Sequence, residues 1–333
     1  MTVRIAIGDA CFASESDETV LDCLSRNGVS VPHACKSGVC HSCLMQVTDG
    51  EVPDAAQKGL KPTYKKQNLF LACQCKPEKD ITVRLPDGAG LDTRALIVGK
   101  DMLNHNVMRL ELRGEGSFAC EPGQYITLIN GDGLARSYSI ANDPTKDGRI
   151  ELHIRLLNDG QMSTFLKDRA AIGAFLTIRG PAGNCFYVRE EGDAYPIVLA
   201  GTGTGLAPLY GITKQALASG HKGEVQLFHG ALKDVDLYLV TQLQALAQEH
   251  PNFRYVPCVL KGDAGQFYQP GNIEEIVMAA MPAEKTRTRM FLCGAPEMVN
   301  ALKRKAFLSG LASKHIFVDA FLPSQAAAAH PAP

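Results

Sequence analysis

Four cysteines constrain this chain more than any other feature of its sequence. Cys35, Cys40 and Cys43 form a C-x4-C-x2-C pattern, with Gly38 between the first two. Cys73 follows in a later segment, and Cys75 lies two residues beyond it. Thiols that are spread in this way can act together only if the fold brings the later segment back to the short loop.

This spacing is typical of plant-type 2Fe–2S sites. Zinc favours two C-x2-C-like pairs, whereas only Cys40 and Cys43 form such a pair, and a Rieske centre needs histidine ligands. Buried thiols that merely fill a core would not explain three cysteines so close together. The sequence therefore predicts a 2Fe–2S cluster, and hence a protein that transfers electrons one at a time.

Size and composition narrow the classes of protein that fit. The chain has 333 residues, which indicates two or three domains. Its formal net charge of -1 favours neither a nucleic-acid nor an anionic-membrane partner. The sequence has neither a long apolar run nor the charged-then-apolar start of a signal peptide. Its 11 cysteines are therefore expected to be thiols and ligands in the cytoplasm, not disulfides.

The chain reads as three structural segments and a tail. Residues 1–90 alternate like strands around a helix at 17–28. With its cysteine spacing this segment resembles plant-type ferredoxins, and the resemblance implies a β-grasp ferredoxin domain. Residues 91–192 hold six short strands and one helical stretch at 162–169, which predicts an antiparallel β-barrel. Residues 193–323 alternate strands and helices, which predicts a doubly wound parallel α/β domain. The Ala- and Pro-rich residues 324–333 are expected to be a disordered tail.

The barrel segment carries residue types that suit a flavin nucleotide. Arg136-Ser137-Tyr138-Ser139 offers a ring platform, hydroxyls and a guanidinium that matches phosphate. The segment His153-Ile154-Arg155 lies on the next strand, and Gly160-Gln161-Met162-Ser163 opens the helical stretch. A helix N-terminus suits a pyrophosphate, although Ser163 would equally serve as a simple N-cap.

Two loops of the third segment suit a dinucleotide. Gly201, Gly203 and Gly205 follow an apolar strand and precede a helix, so the backbone can approach a ligand closely. Cys293-Gly294-Ala295-Pro296-Glu297-Met298 repeats the strand–turn–helix pattern, and Cys293 is expected at the carboxyl end of its strand, facing a nicotinamide.

The segment after the second strand of this domain bears on the choice of coenzyme. Asp234 and Asp236 favour NADH, because an acidic side chain meets a free ribose whereas a 2′-phosphate wants Arg. Lys233 would instead favour the 2′-phosphate of NADPH. Both carboxylates would also suit the start of a helix.

Taken together, these motifs resemble the ferredoxin–NADP reductase superfamily. With the cysteine-rich segment first, the chain is similar to the reductase components of bacterial multicomponent, ring-hydroxylating oxygenases. The resemblance implies the cofactor order 2Fe–2S, FAD, NAD, because members with FMN place the ferredoxin domain last. It also selects Cys73 over Cys75 as the fourth ligand beside Cys35, Cys40 and Cys43, from the segment Leu71-Ala72-Cys73-Gln74.

The resemblance implies roles for matched positions. The FAD contacts would be Arg136, Ser137, Tyr138, Ser139, His153, Ile154, Arg155, Gly160, Met162, Ser163, Thr204 and Phe321. The NAD contacts would be Gly201, Gly203, Gly205, Asp234, Asp236, Cys293, Gly294, Pro296, Glu297 and Met298. Thr204, Cys293 and Phe321 would lie near the flavin–nicotinamide contact, and no general acid or base is expected.

The resemblance also implies the course of the electrons. NADH would deliver two electrons as a hydride to FAD, and the cluster would pass them singly to a terminal oxygenase or a separate ferredoxin. We expect a monomer with no nucleic-acid or membrane partner. A deoxysugar-pathway reductase and a phenol or methane monooxygenase reductase are alternatives of the same class, and a redox sensor is an alternative from another class.

Overall fold

A computed structural model describes residues 3–29, 31, 36, 38, 43–85, 92–115, 118–190, 192, 194–263 and 266–321. The chain forms two compact units, Met1–Ala89 and Gly90–Pro333. The predicted linker at 86–90 and the predicted tail at 324–333 lie outside the described residues, and the predicted domain bounds stay predictions. No helix in the described residues is long and apolar enough to span a membrane.

The first unit is a five-stranded mixed sheet packed on a helix, as in a β-grasp fold. Its elements are β1 (Arg4–Ile7), β2 (Ala10–Ala13), α1 (Val20–Arg26), β3 (Leu44–Asp49), α2 (Pro62–Lys66), β4 (Leu69–Leu71) and β5 (Ile81–Arg84). The strand order is β2-β1-β5-β3-β4, in which only β1 and β5 are parallel. Helix α1 begins after Thr19, whose Oγ1 accepts a hydrogen bond from the Asp22 N–H. Its buried face packs on the sheet and forms the core of the unit.

The second unit begins with a six-stranded antiparallel barrel. Its elements are β6 (Thr93–Met102), β7 (Val107–Gly114), β8 (Tyr125–Ile129), β9 (Ala135–Ser139), β10 (Ile150–Arg155), α3 (Gln161–Thr164) and β11 (Phe175–Ala182). The order is β10-β7-β6-β11-β8-β9, and a bridge between Ile140 and Leu152 joins the two edges. Helix α3 continues as a π-helical turn over Phe165–Arg169. The antiparallel barrel was therefore predicted correctly.

The rest of the second unit is a parallel sheet between helices. Its elements are β12 (Ile197–Thr202), α4 (Leu206–Ala218), β13 (Val225–Ala231), α5 (Val240–Glu249), β14 (Phe253–Val259), β15 (Gln269–Pro270), α6 (Ile273–Ala279), β16 (Arg289–Gly294), α7 (Pro296–Leu308) and β17 (Ile316–Ala320). The strand order is β15-β14-β13-β12-β16-β17. Strands β13, β14 and β15 follow on one side of β12, whereas β16 and β17 lie on its other side, so the order of the chain reverses beside β12. Ligands of such sheets bind outside the carboxyl ends of the strands at this reversal, which lies between the loops after β12 and β16.

Glycines at the contact between barrel and sheet hold these two layers of the second unit close together. A Cβ on Gly211 of α4 would come within 2.8 Å of Ala141 and Pro122 of the barrel segment. A Cβ on Gly123 would collide with the carbonyl oxygen of Cys185 and would lie 2.7 Å from the Ile212 side chain. The loops of the barrel therefore lie directly against the helix that follows the predicted dinucleotide loop.

Some predicted helix boundaries were wrong for local reasons. The sequence pattern predicts a helix over 237–250, but α5 starts at Val240 because Asp234–Asp236 form a separate turn and Leu239 has a left-handed φ of 55°. The pattern also predicts a helix over 209–219, but α4 starts at Leu206, since Pro208 fits within a first helical turn, where the N–H needs no helical partner.

Candidate cofactor sites

Cys43 and Cys73 are neighbours in the structure. Their Sγ atoms lie 3.2 Å apart, and both side chains are buried. The pairing of Leu44 with Leu71 in β3 and β4 brings them together, because Cys43 immediately precedes β3 and Cys73 lies in the turn that follows β4. The Ala72 N–H also donates to the Cys43 carbonyl at 3.0 Å. Cys35 and Cys40 lie outside the described residues.

Cys75 occupies a different environment from Cys73. It is fully buried in the hydrophobic core of the first unit, and its carbonyl accepts a hydrogen bond from the N–H of Val20 in α1. A thiol that packs as a core side chain is poorly placed to reach a ligand loop. The geometry thus favours Cys73 over Cys75 as the partner of Cys43, and the full ligand set stays a prediction.

Gln74 connects the predicted ligand loop to Cys73, a contact that the sequence analysis missed. Its side-chain Nε2 donates to the Lys36 carbonyl at 3.1 Å, to the Cys73 carbonyl at 3.0 Å and to the Cys73 Sγ at 3.5 Å. The Lys36 ammonium in turn pairs with Asp22 of α1 at 2.9 Å. Gln74 therefore places a side-chain amide donor at a candidate ligand sulfur.

In the barrel, the predicted flavin motif on β9 is divided between two faces of the strand. Arg136 and Tyr138 lie opposite the core residues Leu128 and Ile126 of β8, whereas Ser137 and Ser139 point to the other side. Partial burial raises the pKa of the Tyr138 hydroxyl to about 12. Strand alternation therefore separates the aromatic ring and the guanidinium from the two hydroxyls.

The predicted segment on β10 divides in the same way. Ile154 is fully buried in the barrel core, so only its backbone faces outward. Both ring nitrogens of the buried His153 have partners: Nε2 lies 2.8 Å from Glu151 Oε1, and Nδ1 lies 3.1 Å from Tyr238 Oη. The His153 ring thus faces the parallel sheet, and its predicted flavin contact stays a prediction.

Arg155 is exposed and lies beside the predicted dinucleotide loop. A Cβ built on Gly203 would lie 3.4 Å from the Arg155 Nη1. Gly203 also has a φ of +55°, a conformation that glycine adopts without strain. The structure thereby brings the Arg155 guanidinium of the barrel next to the Gly203 backbone, which could approach a phosphate.

The loop before α3 borders a cavity of about 460 Å³. Within this loop, the Ser163 hydroxyl donates to the Gly160 carbonyl at 3.0 Å and accepts from the Leu157 N–H at 3.3 Å. Met162 packs in the barrel core. The residues that line the cavity are Asn130, Asp132, Leu134, Asn158, Asp159, Gly160, Gln161, Thr164 and Arg169. Ser163 therefore shapes the loop, and of the three predicted residues here only Gly160 lines the cavity.

The loop with Gly201, Gly203 and Gly205, which we name the glycine loop, packs tightly on the loop after β16. A Cβ on Gly205 would collide with the Cys293 carbonyl oxygen, and one on Gly201 would lie 2.7 Å from Leu209. The Ala295 N–H donates to Thr202 Oγ1 at 3.1 Å. Gly201 and Gly205 are thus required by packing, whereas the backbone at Gly203 faces Arg155.

The predicted coenzyme contacts in the loop after β16 lie in different environments. Pro296 opens α7, the Glu297 side chain is exposed, and Met298 is buried in the core on one face of the sheet. Gly294 has a φ of +115°, and a Cβ there would lie 2.7 Å from the Thr202 carbonyl oxygen. Met298 was predicted to contact the coenzyme, but its side chain thus packs in the core.

The carboxyl ends of β16 and β17 lie against the barrel. Ser139 of β9 donates to Asp319 Oδ2 at 2.7 Å, and burial raises the pKa of that carboxyl group. The buried Cys293 Sγ lies 3.6 Å from Cys185 Sγ, and the Phe321 N–H donates to the Gly294 carbonyl at 2.8 Å. Cys293, Asp319 and Phe321 therefore gather where β9 meets the parallel sheet, beside the turn that holds Thr204.

The two predicted coenzyme carboxylates differ in their contacts. Asp236 Oδ2 accepts from the Lys233 N–H at 3.1 Å, and Oδ1 lies 3.5 Å from His105 Nε2. Asp234 is exposed and accepts only a local bond, from the Val235 N–H at 2.8 Å. Asp236 therefore helps to shape the loop, while Asp234 faces solvent.

Three family models match successive parts of the chain. They describe a 2Fe-2S iron-sulfur cluster binding domain at residues 6–78, an oxidoreductase FAD-binding domain at 94–187 and an oxidoreductase NAD-binding domain at 199–304. The reductase subunit of an aromatic O-demethylase from Amycolatopsis sp. is 33% identical, over 97% of this chain and 100% of that protein. The chain belongs to the iron–sulfur flavoprotein reductases of the ferredoxin–NADP reductase superfamily.

Two further similarities cover nearly the whole reductase. The ferredoxin–NAD(P)+ reductase component of the naphthalene 1,2-dioxygenase/salicylate 5-hydroxylase systems of Ralstonia sp. is 31% identical over 93% of this chain and 95% of its own. The crystal structure of the Amycolatopsis cytochrome P450 reductase GcoB matches with a TM-score of 0.67 and 32% identity, over 97% and 99% of the two chains. This reductase is an oxidoreductase with 2Fe–2S, FAD and NAD domains in the predicted order.

Proposed function

We propose that this reductase takes electrons from NADH and passes them through FAD and a 2Fe–2S cluster to the oxygenase or ferredoxin of an aromatic-degrading oxygenase system. The similarity to reductase components that serve aromatic substrates supports this function. One contact carries the proposal within the second unit: Ser139 of the flavin motif meets Asp319 beside the predicted nicotinamide position. That contact brings the predicted flavin strand to the carboxyl edge where a dinucleotide binds.

The cluster would be held by Cys35, Cys40, Cys43 and Cys73. The two described ligands fit, because their sulfur atoms already lie 3.2 Å apart on buried side chains. When bound, the cluster supplies transfer of single electrons. The protein contributes the position of the thiolates and, through the Gln74 amide, a hydrogen-bond donor at one of them.

The FAD would lie along the face of the barrel that meets the parallel sheet. Ser139 lies on this face, Arg155 offers a cation near Gly203, and the cavity beside Gly160 has room for the adenosine portion. When bound, FAD supplies the change from two-electron to one-electron transfer. The chain's own residues bind and orient it and exclude water from the Cys293–Asp319 region.

The NADH would bind across the loops after β12, β13 and β16. Gly203 lets its pyrophosphate approach the backbone, and Cys293 lies at the nicotinamide end. Of the two acidic candidates, Asp234 is the one with an exposed carboxylate, so we assign it to the adenosine ribose. We further propose that the protein is cytoplasmic, since none of the nine described cysteines forms a disulfide.

Cofactor content and electron transfer test this function together. The purified protein should contain iron, sulfide and FAD, and NADH should drive the reduction of both ferricyanide and cytochrome c. Cys43→Ser should abolish the cluster absorbance and cytochrome c reduction while it leaves ferricyanide reduction, which needs only the flavin. Protein with iron but no flavin, or cytochrome c reduction that survives loss of the cluster, would refute the proposal.

The acceptor is tested separately with purified partners. NADH oxidation should be coupled to hydroxylation when an aromatic-ring oxygenase is supplied with this reductase. A sugar-nucleotide dehydrase supplied in the same assay should not accept electrons at a comparable rate. The reverse result would assign the chain to a deoxysugar pathway.

A further inference from the structure

Three barrel residues contact the loop that follows β13, residues 232–238, which we name the coenzyme loop. The Asn104 side-chain Nδ2 donates to the Asp236 carbonyl at 3.0 Å. The His105 Nε2 lies 3.5 Å from the Asp236 carboxylate, and the His153 Nδ1 lies 3.1 Å from the hydroxyl of Tyr238. The coenzyme loop is thus fastened to the flavin barrel at two of its residues.

Asn104 is itself held rigidly in the turn between β6 and β7. Its Oδ1 accepts from the N–H groups of Asn106 and Val107 at 3.0 and 2.8 Å, which fixes the opposite end of the amide as the donor to Asp236. Since the side chain is already ordered, little conformational entropy is lost when it holds the loop. Asn104 therefore acts as a fixed support for the coenzyme loop.

His153 and Tyr238 form the second attachment, which is buried. Both side chains are almost completely removed from solvent, and the other ring nitrogen of His153 is occupied by Glu151 at 2.8 Å. A buried polar pair with all its partners is costly to break, because each group would be left unsatisfied. This attachment anchors the end of the coenzyme loop that leads into α5.

Inside the loop, the Asp236 carboxylate accepts from the Lys233 N–H at 3.1 Å and closes a short turn that presents Asp234 to solvent. The position of Asp234 therefore depends on Asp236, and the position of Asp236 depends on the barrel. A ligand that needs Asp234 binds more tightly when the loop is already ordered, because the ordering cost is not subtracted from its affinity.

We propose that Asn104 and the His153–Tyr238 pair are positioning residues for the coenzyme: the flavin barrel pre-orders the loop that contacts the adenosine half of NADH. This inference rests on the proposed function of the parallel sheet as the NADH site. It assigns these residues to coenzyme affinity and selectivity and to no part of the hydride transfer.

Two variants test the attachments without removing whole side chains. Asn104→Asp keeps the oxygen that accepts from Asn106 and Val107 but removes the donor to Asp236, and Tyr238→Phe removes only the hydroxyl that meets His153. Since one hydrogen bond is lost in each, we expect KM for NADH to rise about five-fold with kcat unchanged in ferricyanide reduction. Asn106→Ala is the matched control, because Asn106 contributes only backbone bonds to the turn, and its KM should equal that of the wild type.

Reduced nicotinamide mononucleotide separates this role from a general structural one. It lacks the adenosine half, so its KM should be the same in wild type, Asn104→Asp and Tyr238→Phe, and the FAD content should also be equal. An unchanged KM for NADH in both variants would overturn the inference. An equal rise in KM for NADH and for reduced nicotinamide mononucleotide would also overturn it. Absence of NADH-driven ferricyanide reduction in the wild type would instead refute the proposed function itself.

Discussion

Ser139 and Asp319 are joined by a hydrogen bond of 2.7 Å between residues that lie 180 positions apart. Ser139 ends β9 of the barrel, and Asp319 lies near the end of β17, the last strand of the parallel sheet. The bond places a partly buried carboxyl group at the contact between the two layers that are proposed to hold FAD and NADH.

Asp319→Asn should stabilise the protein at neutral pH but not in acid. Burial raises the pKa of Asp319, and the Ser139 bond only partly offsets this effect. The folded state therefore favours the protonated form, so the associated stability is present below the usual aspartate pKa of about 4 and is lost as pH rises through the raised value. The gain at pH 7 should be about 1.4 kcal/mol for each unit by which the pKa is raised.

Thermal unfolding of the FAD-loaded protein between pH 4 and pH 8 measures this effect. The midpoint difference between Asp319→Asn and wild type should grow as the pH increases. A difference that is constant over this range would show that the ionisation of Asp319 does not contribute.

Gly205→Ala should cost more stability than Gly203→Ala. A Cβ at position 205 would collide with the backbone of Cys293, which cannot move without disturbing β16, so we expect a loss of about 1–3 kcal/mol. At position 203 the nearest atom is the flexible Arg155 guanidinium, and the cost is that of the positive φ, about 1 kcal/mol. Urea unfolding of both variants ranks them, and the opposite order would contradict the packing role of Gly205.

Cys73→Ser and Cys75→Ser should behave differently. We expect Cys73→Ser to lose the visible absorbance and the iron and sulfide of the cluster, since this thiol lies beside Cys43. Cys75→Ser should keep the cluster and lose only some stability, because its thiol fills the core. Iron and sulfide analysis of the two purified variants decides between them, and a cluster that depends on Cys75 would reverse the assignment.

Gln74→Leu should make the reduction potential of the cluster more negative. An N–H donor at a ligand sulfur stabilises the extra negative charge of the reduced cluster, and leucine removes that donor. Redox titration followed by electron paramagnetic resonance measures the shift. Gln57→Leu is the control, because the Gln57 amide donates to the Leu69 carbonyl and to no sulfur in the described residues. Equal potentials in Gln74→Leu and wild type would show that this bond is without influence.

Much of the fold could be predicted because its signals are local. The sequence pattern predicts a strand over 125–129, the observed bounds of β8, and a helix over 296–309, one residue longer than α7, since each has a clear hydrophobic period between turn residues. Strands β2, β4 and β15 were missed because segments of two to four residues are too short to show a period.

The side-chain environments of the candidate site were less predictable. The His153-Ile154-Arg155 segment looks like one motif, yet its three side chains lie in different places. His153 contacts the coenzyme loop, Ile154 packs in the barrel core, and Arg155 lies beside the glycine loop. Residue types show which ligands a segment could bind, but strand alternation and distant partners determine which side chains are available.

By itself, the sequence determined the cofactor classes, their order along the chain and the fold of each part. Cysteine spacing, glycine-rich turns and hydrophobic period depend on residues close together in the chain, so they remain visible without a structure. Only the tertiary structure decided that Cys73 lies beside Cys43, that Asp234 is exposed where Asp236 is engaged, and that Ser139 meets Asp319. These relationships arise from strand register and from packing between segments far apart in sequence, which no local pattern records.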